Sequence, residues 1–270
     1  MLFQDIECPQ CQADFDPALE VCAVCHAANA RFKKEKLPKS VLFLHPASQL
    51  GLFFLGFAYV GMLAIQLLVV LVLRSFSLAD DTMLFKTLIL SFTYVLMAIG
   101  LFAIPLFTRR KLFLSKFNNK LDYLYGVGYA VTIVCLSAIV NAIITIFYQA
   151  PAENLNQEAA ELIAKSYPIL AFFIIGIIGP LCEELTYRVG LYSFFRRINK
   201  YLAVILTAVI FALIHFEFGA EDMAVELAAL PVYLISGIIF SIAYEHRGPA
   251  CSMTAHVAYN MFAFLMIFMR

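Results

Sequence analysis

Residues 168–190 read PILAFFIIGIIGPLCEELTYRVG. The stretch opens as an apolar run and reaches the roughly 20 residues that cross a bilayer core as a helix. Inside that length it carries Glu183, Glu184 and Arg188. Charged groups at bilayer depth cost roughly 2.5–3.5 kcal/mol each on insertion scales, so they read by default as functional. Glu184 and Arg188 are four residues apart and share a helix face, where they neutralise each other. Glu183 is rotated by about 100° from Glu184 and shares that arginine less easily. One carboxylate is held and the other is available, the asymmetry on which acid–base sites are built.

Composition extends the reading to the whole chain. Of 270 residues, 63% are hydrophobic and only 14% charged, and mean hydropathy is +0.86. A water-soluble domain carries about 25% charged residues, so the expected fold class is an all-α polytopic membrane protein. The formal net charge of zero gives no reason to expect a nucleic-acid partner. Seven apolar segments are expected to form about seven transmembrane helices, at 50–73, 85–107, 123–148, 168–190, 201–217, 225–244 and 250–269. The fifth is short. The fourth contains Pro180, expected to loosen the helix just before Glu183. The opening MLFQDIECPQC lacks a basic start followed by an apolar run, so the first span reads as an uncleaved anchor.

Loop charges give the orientation. Lys33, Lys34, Lys36 and Lys39 precede span one; Arg109, Arg110, Lys111, Lys116 and Lys120 join spans two and three. Arg196, Arg197 and Lys200 join four and five, and His246 and Arg247 join six and seven. The alternate loops are acidic or mixed, including Asp80–Asp81, Glu153 to Glu161 and Glu217 to Asp222. The positive-inside rule then places the N-terminus in the cytoplasm. Within the long external segment 149–167, good helix formers predict a short surface helix, read as a solvated connector rather than a lid.

Cys8, Cys11, Cys22 and Cys25 form CPQC-x10-CAVC. Two CxxC turns can complete a tetrahedron around one Zn²⁺, and a segment with almost no core would take its folding energy from that ion. A structural zinc knuckle or ribbon is the expectation; two disulfides or an iron site are the alternatives. His26 adjoins Cys25 and reads as a neighbour of the ligands. Thiolate ligation implies a reducing compartment, in agreement with the charge-based orientation. Cys182, next to Glu183, reads as a packed, inert thiol.

Two further polar groups sit in apolar spans. His215 follows Phe211 by one turn, and His256 and Asn260 share a face at i, i+4. An imidazole beside an amide supplies donors that could hold an oxyanion at a peptide carbonyl. Straight helices put His215 about fourteen residues into span five and His256 about seven into span seven. Their depths match only if helices tilt or span five starts below the interface.

EELTYR, FALIH and HVAYN, in that order, resemble the three motifs of the CPBP intramembrane proteases, the CAAX-processing and bacteriocin-processing family. The resemblance covers roughly residues 120–270. It implies an intramembrane endopeptidase in which Glu183 activates water, His215 helps bind it, Arg188 holds Glu184, and His256 and Asn260 stabilise the oxyanion. The family is often called metallo. The sequence has no HExxH helix, and its two glutamates and two histidines fit either a catalytic Zn²⁺ or a metal-free glutamate mechanism. A non-catalytic binding, scaffold or immunity-type protein is the alternative reading, with a proton-coupled transporter behind it. The expected organisation is a zinc module at 1–30, a basic linker at 31–49, two helices within 50–119 and the protease-like domain at 120–270. The expected partners are a membrane-embedded or membrane-anchored peptide substrate and a cytosolic protein met by the zinc module. A bacterial inner membrane is the expected location.

Overall fold

A computed structural model describes residues 6–8, 10–15, 21–22, 24–28, 53–76, 82–148, 154–196 and 198–269. The basic linker 31–49, the pair Asp80–Asp81, Glu153 and Arg197 lie outside the described residues. Near the N-terminus β1 (Ile6–Glu7) pairs antiparallel with β2 (Asp14–Phe15), with Ile6 opposite Phe15. Eight helices follow among the described residues. They are α1 (Phe53–Ser75), α2 (Met83–Ser115), α3 (Lys120–Tyr148), α4 (Leu155–Ser166), α5 (Pro168–Arg196), α6 (Lys200–Leu213), α7 (Met223–Arg247) and α8 (Pro249–Ile267).

Six of these, α1, α2, α3, α5, α7 and α8, are long and apolar enough to cross a membrane. The chain is a multi-pass integral membrane protein. The fifth apolar segment, α6, has 14 residues, about 21 Å of helix against a hydrocarbon core of about 30 Å. It stops at Leu213, so His215 sits in the turn beyond the helix rather than within a span reaching residue 217. Segment 149–167 does contain a helix, α4.

Local chemistry sets the breaks. Side chains of Thr82, Asn154, Asn199 and Asp222 accept backbone N–H groups at the starts of α2, α4, α6 and α7. Gly248, at φ 83°, ends α7 in a conformation that needs glycine, and Pro249 opens α8. Small residues set the close crossings. A Cβ on Gly126 of α3 would lie 2.7 Å from the Cys251 carbonyl oxygen of α8, and one on Gly237 of α7 would lie 2.9 Å from the Ala208 Cα of α6. Membrane helices pack by such approach of backbones.

The buried core joins α1, α2, α5, α7 and α8 through Phe54, Leu101, Leu185, Tyr192, Tyr244 and Met253. Farther along α1, Leu63, Leu67, Leu68 and Leu71 are exposed, as a lipid-facing surface requires. The charged helix ends sort themselves. Arg196 of α5 grips Glu245 of α7 at 2.9–3.0 Å, and Arg247 of α7 meets Asp122 of α3 at 3.4 Å. At the opposite end of α7, the Glu226 carboxylate accepts from the backbone N–H groups of Leu155 and Glu217.

Helix α5 is not uniformly α-helical. It widens into π-helix at Ile174–Ile178 and again at Leu185–Tyr192. Glu183 and Glu184 end the α-helical piece between them, Gly179–Glu184. The first widening has a local cause: Pro180 has no N–H, and its ring clashes with the carbonyl four residues back. Each π-turn takes up an extra residue and re-aims the side chains beyond it; such bulges are frequent at functional sites.

Candidate active site

Glu184 and Arg188 lie at the centre of the bundle with no exposed side-chain surface, and the guanidinium Nη1 stands 3.2 Å from Glu184 Oε1. The i, i+4 spacing thus forms the expected pair. Arg188 Nη2 also donates to the Gly237 carbonyl of α7 at 3.1 Å. Its guanidinium carbon lies 4.7 Å from the Phe211 ring centroid and 5.2 Å from that of Phe240, a cation–π sandwich.

His256 of α8 stands between the two glutamates. Its Nδ1 is 3.0 Å from Glu184 Oε1, a charge-assisted hydrogen bond. Its Nε2 is 3.7 Å from Glu183 Oε2, close enough for an ion pair and too far for a hydrogen bond. Phe240 stacks on the imidazole at 4.1 Å. Glu183 keeps 20% side-chain exposure where Glu184 keeps none. Its Oε2 is itself buried and lacks a hydrogen-bond partner. A buried unpartnered oxygen is costly and marks either a water site or a reacting group.

His215 lies on the other side of Phe211. That ring is 4.8 Å from His215 and 5.8 Å from His256, so one aromatic wall serves both imidazoles and the depths do meet. His215 Nδ1 is 2.8 Å from the Phe211 carbonyl oxygen. A carbonyl only accepts, so Nδ1 carries a proton and Nε2 is the lone-pair nitrogen of the neutral ring. Tyr233 stacks on His215 at 4.4 Å, with its hydroxyl on Asn154 Oδ1. Asn154 Nδ2 donates to the His215 carbonyl. Asn260 uses its amide on the Ile175 carbonyl of α5, at 3.1 Å.

Glu183, His256, Glu184 and Arg188 therefore form one chain of contacts in that order. His215 joins them through Phe211, and Asn260 through α5. Sequence reading missed Phe240, Tyr233, Asn154 and Glu226, whose partners lie on other helices. Tyr187 packs edge-on against Phe211, and its hydroxyl meets that of Tyr59 in α1 at 2.8 Å. Cys182 is buried, as expected of a packed thiol.

The set of two glutamates and two histidines does not gather as an ion would require. Among the described residues only the N-terminal cysteines bring three or more donor atoms within 4.8 Å of one another. Both His256 nitrogens face carboxylates, and His215 Nδ1 is spent on a carbonyl. This arrangement does not fit a tetrahedral catalytic ion.

The cysteines do fit one. Cys8 and Cys25 Sγ are 3.5 Å apart, Cys11 and Cys22 Sγ 3.6 Å, and none is in a disulfide. Sulfurs around a tetrahedral zinc, with bonds of about 2.3 Å, stand about 3.8 Å apart. The two CxxC turns repeat each other: Gln12 N–H bonds the Cys8 carbonyl and His26 N–H that of Cys22, with φ of 57° and 61°. His26 is thus a turn residue. The backbone N–H groups of Cys25 and Val24 bring the Cys22 thiol down to about 6, and that of Gln10 lowers Cys8. These four cysteines could hold a metal such as zinc.

Residues 165–262 match the family described as type II CAAX prenyl endopeptidase, Rce1-like. That part of the chain is similar to the CAAX prenyl endopeptidases. The chain is 33% identical over 124 residues to the membrane-embedded CAAX protease MroQ of Staphylococcus aureus (strain USA300), across 43% of this chain and 46% of that protein. It is 26% identical over 136 residues to the UPF0177 protein YvdC of Lactococcus lactis subsp. lactis (strain IL1403), across 50% of this chain and 49% of that one. The chain thus spans about half the length of these curated relatives. No solved structure matches it. The matched span takes in the whole polar cluster, from Glu183 through Asn260.

Proposed function

We propose that this chain is an intramembrane endopeptidase that hydrolyses peptide bonds of membrane-embedded or membrane-anchored proteins. The observation that carries the reading is the unpartnered, buried Oε2 of Glu183, 3.7 Å from a histidine that also grips Glu184. Glu183 takes a proton from water as the water oxygen attacks the scissile carbonyl carbon. His215, with Nδ1–H fixed on Phe211, offers its Nε2 lone pair to orient that water. Charge develops on the carbonyl oxygen, and His256 together with the second N–H of Asn260 holds it. Glu183 then returns the proton to the departing amine as the C–N bond breaks. Arg188 fixes Glu184, and Glu184 fixes His256, so the pair serves as scaffold.

The basic ends of α5 and α7 meet the start of α3 at one end of the bundle, which supports placing that end, with the N-terminus, in the cytoplasm. The cysteine module then lies in a reducing compartment. It carries a structural Zn²⁺ and meets a cytosolic protein partner. A bacterial inner membrane is the location in this reading.

The test is cleavage of a membrane-embedded peptide library by the purified protein and by Glu183→Gln, with and without chelator. Cleavage by the wild type alone, insensitive to chelator, supports a metal-independent glutamate protease. Equal cleavage by the variant ends the assignment of Glu183. No cleavage by the wild type favours a binding or scaffold role.

A further inference from the structure

The bond from Asn260 to Ile175 has a local reason. In the first widened turn of α5 the Gly179 N–H reaches back five residues to the Ile174 carbonyl. The next bond in that register would run from residue 180 to the Ile175 carbonyl. Residue 180 is proline and has no N–H to give. A carbonyl at this depth has no water to turn to, and a buried acceptor without a donor costs about 1–3 kcal/mol. Asn260, 85 residues away on α8, supplies that donor at 3.1 Å.

The bulge is thereby held from both sides: Pro180 denies α5 its regular hydrogen bond, and Asn260 satisfies the carbonyl left over. The α-helical piece that starts at Gly179 carries Glu183 within its six residues, so its rotation about the α5 axis sets where that carboxylate points. A π-bulge that relaxed to α-helix would turn this piece by about 100°. Asn260 also sits one turn beyond His256, whose imidazole faces Glu183. One residue of α8 thus registers α8 against the base-bearing turn of α5.

We infer that Asn260 is a positioning residue: through the Ile175 carbonyl vacated by Pro180 it locks the α5 bulge that aims Glu183. This rests on the protease reading of the site, and it assigns the amide N–H toward Ile175 a task separate from any contact with substrate. It also makes Pro180 and Asn260 an energetically coupled pair. Replacing Pro180 by alanine supplies a local N–H to the orphaned carbonyl and makes the asparagine dispensable for it.

The experiment is a double-substitution cycle of Pro180→Ala and Asn260→Leu in purified full-length protein, read by thermal unfolding in detergent and by cleavage kinetics well below every Tm. Leucine fills the space of the amide without a donor; Asn260→Ala replaces it if that variant does not fold. In the natural background, loss of the donor lowers Tm by about 5 °C. It also lowers kcat at least ~10-fold, with KM changed less than about twofold. In the Pro180→Ala background the Tm loss shrinks to less than half, and the kcat loss shrinks to the part that the second N–H of Asn260 contributes at the oxyanion. Equal Tm losses in the two backgrounds overturn the bond. Coupled Tm losses with uncoupled kcat losses overturn the positioning role, since a residue acting only on the oxyanion does not care what stands at 180. If the wild type cleaves nothing, the positioning claim falls with the protease reading, while the Tm cycle separately decides the Asn260–Ile175 link.

Discussion

Removing the Arg188 guanidinium tests the buried cluster most directly. In Arg188→Met a similar volume remains without charge. Glu184, with no exposed side-chain surface, loses its guanidinium and keeps His256 beside it, and the Gly237 carbonyl loses the N–H that reached it at 3.1 Å. Breaking a buried ion pair from one side costs about 3–5 kcal/mol, because the remaining charge is uncompensated. The charge part of the loss has a ceiling, since the stranded carboxylate can take up a proton instead. At pH 7 that costs a carboxyl of ordinary pKa, about 4.3, some 3.7 kcal/mol. At pH 5 it costs about 1 kcal/mol by the same relation. The folded variant then binds a proton that the unfolded chain does not, so acidification from pH 7 to 5 favours its folded state. Unfolding in detergent should show Arg188→Met destabilised by about 3–4 kcal/mol at pH 7, and by about 2 kcal/mol less at pH 5, each relative to wild type. Adding Glu184→Gln should recover much of the loss at pH 7, because no charge is left behind. Additive costs in the double variant, or a destabilisation independent of pH, would refute the claim that Arg188 exists to neutralise Glu184.

Other parts of the structure make separate predictions. Glu183→Gln should abolish cleavage while leaving Tm within about 2 °C of wild type, because Glu183 Oε2 forms no hydrogen bond that folding depends on; residual wild-type rates would reassign the base. Glu226→Ala takes the acceptor from the N–H groups of Leu155 and Glu217, at about 0.5–1.5 kcal/mol for each lost hydrogen bond. Hydrogen exchange should speed up at 154–158 and 215–218 more than in α3, and uniform exchange would count against the tie. Cys8→Ser with Cys11→Ser should take zinc stoichiometry in the purified protein from one to zero without removing peptidase chemistry; retained zinc would disqualify these ligands. Gly237→Ala brings a Cβ to 2.9 Å from the Ala208 Cα, and overpacking against backbone should cost about 1–3 kcal/mol in unfolding assays.

Much of this molecule is written in short-range patterns. Apolar runs of span length became helices because a bilayer leaves the backbone no other way to satisfy itself. The CxxC turns met because each fixes its own sulfurs locally. Glu184 and Arg188 met because four residues make one turn. The parts that escaped sequence reading all depend on contacts between helices. Nothing within HVAYN says that His256 faces two carboxylates 72 and 73 residues earlier, because that requires the rotation of α8 against α5. Nothing in FALIH says that α6 stops two residues before its histidine, or that Tyr233 and Asn154 hold the turn beyond the helix.

The position of Pro180 shows where the two kinds of information join. Its effect on its own helix is local and could be read: an absent N–H must loosen α5 just before Glu183. The remedy is not local. A polar residue on another span has to reach the open carbonyl, and the sequence offers several, among them Ser252, Thr254, His256 and Asn260 on α8 alone. Only the packing of α8 along the widened turn selects Asn260, leaves His256 for the carboxylates, and leaves Thr254 to bond its own helix at the Ala250 carbonyl. A break in one helix has become the contact that sets its register against the next. That gives a physical reason for a chain to keep a proline three residues before the carboxylate on which its proposed chemistry depends.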